Sequence, residues 1–139
     1  MNEPETIREI LTNSKTIAVV GISNKPDRAS FSVSQYMQRQ GYQIVPVNPS
    51  LSEVLGEKAY PTLDAAAEAV GKIDLVNVFR APEFVPETVE NVIRLGIANL
   101  WLQQGVCHEE AARLAEANGI HVVMDRCIYL EHRFQQSAV

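Results

Sequence analysis

Thr16-Ile17-Ala18-Val19-Val20-Gly21-Ile22-Ser23-Asn24-Lys25-Pro26 is a β-branched apolar run that stops at a glycine and gives way to polar residues. An unbroken apolar run of this length predicts a strand covered on both faces, as strands of parallel sheets are. The glycine, the polar turn and the helical pattern that follows make the strand-turn-helix opening of a βαβ unit.

The same rhythm continues on both sides. Before the strand, Ile7, Ile10 and Leu11 predict a short helix over Thr6 to Leu11. After it, Ser32-Val33-Ser34-Gln35 fits a capping box, so the second helix is expected to start near Ser32 and to close at Gly41. Gln43 to Val47 predicts the second strand, in which Pro46 has no N–H and belongs near the strand's end or on an unpaired side. A loop from Asn48 to Pro61 leads to a helix over Leu63 to Val70. Three more strands are expected at Asp74 to Phe79, Asn99 to Leu102 and His121 to Met124. Helices over Val85 to Leu95 and Glu109 to Asn118, ended by Gly96 and Gly119, separate them. Only Gln135 to Val139 is expected to fray.

The expected architecture is therefore α/β: a Rossmann-like, doubly wound, parallel five-stranded sheet in the order 3-2-1-4-5, counted along the chain. With 139 residues the expected organisation is a single domain spanning 1-139. Ligands of such sheets bind at the carboxyl ends of the strands where the order reverses, which in this order is after strands one and four.

Composition narrows the function. Hydrophobic residues make up 46% and charged residues 21% of the chain, ordinary values for a folded globular protein. Lys and Arg number 12 against 17 Asp and Glu, a net charge of −5, so nucleic acid and anionic membranes are not expected partners. An anionic small ligand remains open, since a few local cations and backbone N–H groups suffice for phosphate. The first residues carry charges and no long apolar run, which predicts no secretory signal, and two cysteines make no disulfide framework; a cytoplasmic location is the expectation.

The turn after the first strand supplies the Ser23 hydroxyl, Lys25, Arg28 and Ser30 ahead of a helix, a set suited to phosphate oxygens. Ser23 and Pro26 stand where the dinucleotide fingerprint G-x-G-x-x-G has its second and third glycines, and Asn48 stands where NAD proteins carry an acidic residue. Val47-Asn48-Pro49 closes strand two, Phe79-Arg80-Ala81-Pro82 closes strand three and Leu102-Gln103-Gln104-Gly105 closes strand four; Cys127 follows strand five. The histidines and cysteines show no metal-ligand spacing, and no nucleophile elbow is present, so neither a metal site nor catalytic residues are expected. Gly21→Val is expected to block ligand approach while leaving the fold intact.

These residues together resemble a family of small bacterial CoA-binding proteins, similar to the N-terminal CoA-binding domain of the succinyl-CoA synthetase alpha subunit. The likeness runs from about Ile10 to Phe134. It is carried by Val20-Gly21-Ile22-Ser23 with Pro26 and Arg28, Val45 to Pro49, Val78 to Phe84, Trp101 to Gly105, and Met124 to Cys127. The resemblance implies that Gly21 and Ser23 lie near the pyrophosphate of coenzyme A and Val47, Asn48 and Pro49 near its adenosine. It implies that Phe79, Arg80 and Pro82 follow the adenine and pantetheine path, and that Gln103, Gln104 and Gly105 lie toward the thiol arm. The synthetase's lysine after the strand-two proline has no counterpart at Ser50 or Leu51, which leaves Lys25, Arg28 and Arg39 as candidates for the 3′-phosphate. The synthetase's phosphorylated histidine belongs to a second domain, so ligase activity is not implied.

The expectation is non-catalytic binding of coenzyme A or an acyl-CoA. Two alternatives stand beside it: an NAD(P)-dependent Rossmann oxidoreductase, and a thiol-responsive interaction protein in which Cys127 forms a mixed disulfide with bound CoA. An apolar contact face would support a homodimer, although no motif requires one.

Overall fold

The run Thr16–Val20 forms β1 and is buried at every residue, as its unbroken apolar character requires. In the computed structural model, residues 1–137 are described; Ala138 and Val139, the last two of the tail expected to fray, lie outside the described residues. Along the chain, β1 is preceded by α1 (Pro4–Asn13) and followed by α2 (Ala29–Arg39) and β2 (Gln43–Val47). Then come β3 (Glu53–Val54), β4 (Glu57–Lys58), α3 (Leu63–Val70), β5 (Leu75–Val78), α4 (Val85–Leu95), β6 (Asn99–Leu102), α5 (Glu109–Ala117), β7 (His121–Met124) and α6 (Ile128–Ser137).

The five long strands are all parallel and lie in the order β2-β1-β5-β6-β7. The doubly wound, Rossmann-like sheet is as expected, but its order, counted over these five, is 2-1-3-4-5 and not 3-2-1-4-5. A single strand, β2, lies on one side of β1 before the chain crosses back. The reason is visible at Pro46: as an edge strand, β2 needs only one continuous ladder, and a residue without an N–H is tolerated there. The point of reversal consequently lies between β1 and β5 and not between β1 and β6, so the rule for such sheets points to the ends of β1 and β5.

Alternation along β1 divides the core. Ala18 and Val20 pack with α3, α4 and α5, whereas Ile17 and Val19 pack with α1, α2 and α6. Trp101 is fully buried on the second face, and its Nε1 donates to the Arg126 carbonyl at 2.8 Å.

Three local expectations are corrected. Helix α2 starts at Ala29, one turn before Ser32, with Arg28 as its uncapped N-cap; Ser32 lies inside it and turns its hydroxyl back to the Ala29 carbonyl at 3.4 Å. The loop from Asn48 to Pro61 contains the β3–β4 hairpin, whose exit bridges Tyr60 to Val47 and covers part of the β2 edge. Beyond β7 the chain forms α6 through Ser137, including the described part of the tail expected to fray. No helix among the described residues is long and apolar enough to cross a membrane.

Candidate functional site

The turn after β1 is held by its neighbours on both sides. Gly21 N–H donates to the Val47 carbonyl at 3.0 Å and Phe79 N–H donates to the Val20 carbonyl at 2.9 Å, so both flanking strands stay paired up to the turn. Gly21 has φ +87, and a Cβ there would lie 2.7 Å from Arg80 Cγ and 3.0 Å from the Phe79 carbonyl oxygen. The glycine is therefore demanded by the protein's own backbone, which corrects the expectation that Gly21→Val would act on the ligand alone.

Beyond Gly21 the polar groups brace one another. Ser23 N–H donates to the Ser30 hydroxyl at 2.9 Å, and Lys25 N–H donates to the Ser23 hydroxyl at 3.0 Å. Ser30 is buried, so it supports the turn from inside, while Lys25 and Arg28 are exposed. Asn48 ties the end of β2 to the same turn. Its Nδ2 donates to the Ile22 carbonyl at 2.8 Å, and its Oδ1 accepts from Ser50 N–H at 2.8 Å.

At the carboxyl ends of β1, β2 and β5 opens a cleft of about 790 Å³. Gly21, Val47, Asn48, Pro49 and Arg80 line it, together with the start of α3 (Thr62, Leu63, Asp64) and the first turns of α4 (Glu87, Thr88, Asn91). Arg80 is its sole basic lining residue among the described residues. The Arg80 guanidinium carbon lies 3.9 Å from the centre of the Phe84 ring, a stacked cation–π contact. Arg80 makes no salt bridge among the described residues. Thr62 caps α3, its hydroxyl accepting from Ala65 N–H at 3.1 Å. Asp64 is held by Arg94 of α4 at 2.6 Å, and these hydrogen bonds keep its carboxyl below the usual carboxylate range.

Several expected residues lie elsewhere. Phe79 is partly buried against the α1/α2/α6 side of the core, and Pro82 is exposed at the start of a short 3₁₀ turn, Pro82–Phe84. Gln103 is buried, and its Oε1 accepts from Ile128 N–H at 2.9 Å, so its amide supports the start of α6. Gln104 is exposed, and Gly105, at φ +88, donates its N–H to Asp125 Oδ1 at 2.7 Å. Cys127 is partly buried against the α1/α2/α6 side and is not among the cleft's lining residues. Sequence reasoning missed the walls from α3 and α4. Thr62 carried a readable signal, a threonine directly before a helical pattern; Glu87, Thr88 and Asn91 read as ordinary polar positions of an amphipathic helix. Among the described residues no group of three or more His, Cys, Asp and Glu side chains is placed to hold a metal ion.

The chain is 47% identical over 126 residues to the uncharacterized protein YneT of Bacillus subtilis (strain 168), covering 91% of each chain. A solved structure of a hypothetical protein from Pyrococcus horikoshii OT3 superposes with a TM-score of 0.88 at 39% identity, over 95% of this chain and 91% of that one. The alpha subunit of ADP-forming acetate–CoA ligase II from Pyrococcus furiosus is 27% identical over 127 residues, 84% of this chain but 27% of the subunit. The family model for the CoA binding domain matches residues 15–133, from the start of β1 into α6 and across every strand that bounds the cleft, and the chain belongs to that family.

Proposed function

We propose that this chain is a non-catalytic binding module for coenzyme A or an acyl-CoA, with the nucleotide end of the ligand in the cleft between α3 and α4. The observation that carries the reading is the cleft's position and make-up: about 790 Å³ at the point of strand reversal, with Arg80 as its sole lining cation among the described residues. Ligand sites typically span roughly 300–1,000 Å³, so a nucleotide is of suitable size.

Arg80 packs over the Phe84 ring and makes no salt bridge among the described residues, which suits it to a phosphate. On the other side of the Gly21 turn, Ser23, Lys25, Arg28 and the uncapped start of α2 supply further donors and positive charge for the pyrophosphate or the 3′-phosphate. Val47, Asn48 and Pro49 border the adenosine. The pantetheine arm passes Phe79 and Pro82 toward Gln104 and Gly105, with Gln103 supporting that path from beneath. Asn48 spends one amide N–H on the Ile22 carbonyl and one oxygen lone pair on Ser50 N–H, and as a neutral amide it lacks the carboxylate with which NAD proteins hold a ribose diol. Of the two cleft threonines, Thr62 accepts from Ala65 N–H and Thr88 donates to the Phe84 carbonyl, and neither is hydrogen-bonded to a side-chain base among the described residues.

Calorimetric titration with coenzyme A, dephospho-CoA and NAD tests the reading. Saturable binding of coenzyme A that weakens with dephospho-CoA is expected. Binding of NAD in preference to both would overturn it in favour of an oxidoreductase.

A further inference from the structure

Arg94 lies behind the cleft, yet it holds one lining residue from each wall. Its Nη1 and Nη2 donate to Asp64 Oδ2 and Oδ1 at 2.6 and 2.9 Å, and Nη2 also donates to Asn91 Oδ1 at 2.7 Å. A guanidinium has donors and no acceptor, so Asn91 has to turn its carbonyl end toward Arg94. The Nδ2 donors are then left on the other end of the amide, and no protein acceptor takes them among the described residues.

Glu87 lines the same wall one helical turn earlier and makes no salt bridge among the described residues. Positions four apart on a helix have their Cβ atoms about 5–6 Å apart. The α4 wall thus offers a fixed amide donor beside a free carboxylate acceptor. An adenine edge presents the complement, an exocyclic amine that donates next to a ring nitrogen that accepts.

We infer that the α4 wall reads adenine, Glu87 accepting from the exocyclic amine and Asn91 Nδ2 donating to the ring nitrogen, and that Arg94 is the positioning residue that fixes the Asn91 amide. This rests on the cleft's holding the nucleotide end of coenzyme A. Arg94 and Asp64 are about half exposed, with side-chain exposures of 54% and 49%, so solvent screens even their bidentate pair. Arg94→Met is therefore expected to fold, with its melting temperature lowered by no more than a few degrees.

The test is calorimetry of the wild type, Asn91→Ala, Arg94→Met and the double variant, each with coenzyme A, adenosine 3′,5′-bisphosphate and 4′-phosphopantetheine. Each single variant is expected to bind coenzyme A and the bisphosphate about 5- to 10-fold more weakly, the effect of one hydrogen bond, with phosphopantetheine unaffected. The double variant is expected to be no weaker than Asn91→Ala, because both changes remove the same contact. The Asn91 side-chain amide resonance should shift in the wild type when the bisphosphate is added. Additive losses, an unaltered Arg94→Met, or equal loss of phosphopantetheine would overturn the inference while leaving the CoA reading intact. A wild type that bound neither coenzyme A nor the bisphosphate would overturn both.

Discussion

Gly21 and Arg80 form one unit at the level of single residues. The glycine's positive φ brings the turn so close to the end of β5 that the space a Cβ would occupy is taken by Arg80 Cγ and the Phe79 carbonyl. Gly21→Ala should destabilise the protein by about 1–3 kcal/mol, from backbone strain together with that contact, as read by urea denaturation. An undiminished midpoint would mean that the turn relaxes freely. Arg80→Ala leaves the glycine's space intact and removes the cleft's cation. It should weaken coenzyme A binding by roughly 10- to 100-fold, the cost of a charge-assisted hydrogen bond, with little change in stability. The sequence made both residues candidates from their places at strand ends. It did not reveal that they touch, because their contact spans two strands far apart along the chain.

Among the α-helices, α6 is the one that sequence reading missed, and its attachments account for the miss. Its mean pattern is weakly amphipathic, with only Ile128 and His132 buried among its residues. It is held by specific polar contacts: Gln103 Oε1 at its start, and His132 Nδ1 paired with the Tyr36 hydroxyl at 2.8 Å. Removing the acceptor with Gln103→Ala leaves a buried N–H without a partner, which should cost about 1–3 kcal/mol. Faster hydrogen exchange confined to the first turn of α6 would check it. Burial lowers the His132 pKa below its ordinary value of 6.5, so the unfolded chain takes up the proton more readily than the folded one. The stability held by neutral His132 is therefore complete above about pH 6.5 and declines as the pH falls below that value. Denaturant midpoints measured between pH 7.5 and 5 should fall toward acid, and His132→Gln should flatten the part of that slope due to this residue.

At the scale of the whole molecule, a ligand that binds only the folded state stabilises it. At a hundredfold excess over its dissociation constant, coenzyme A should add about 2.7 kcal/mol and raise the melting temperature by on the order of 5–10 °C. The same concentration of NAD should leave the melting temperature in place; equal shifts would count against the proposed selectivity. The alternation of apolar runs with helical patterns was enough to determine the βαβ class and the boundaries of α3 and α4, because the period of burial is a local property of the chain. Pro46 even carried the clue to the strand order, since it suits the edge position of β2 better than an interior one. What local pattern does not encode is the side of β1 to which the chain returns after β2. That choice depends on the packing of α3 against the opposite face and on the pairing of β5 with β1, both long-range events. It decided where the crevice opens, and with it that the walls of the cleft come from α3 and α4, whose polar residues are indistinguishable from a solvated face until the helices are brought together.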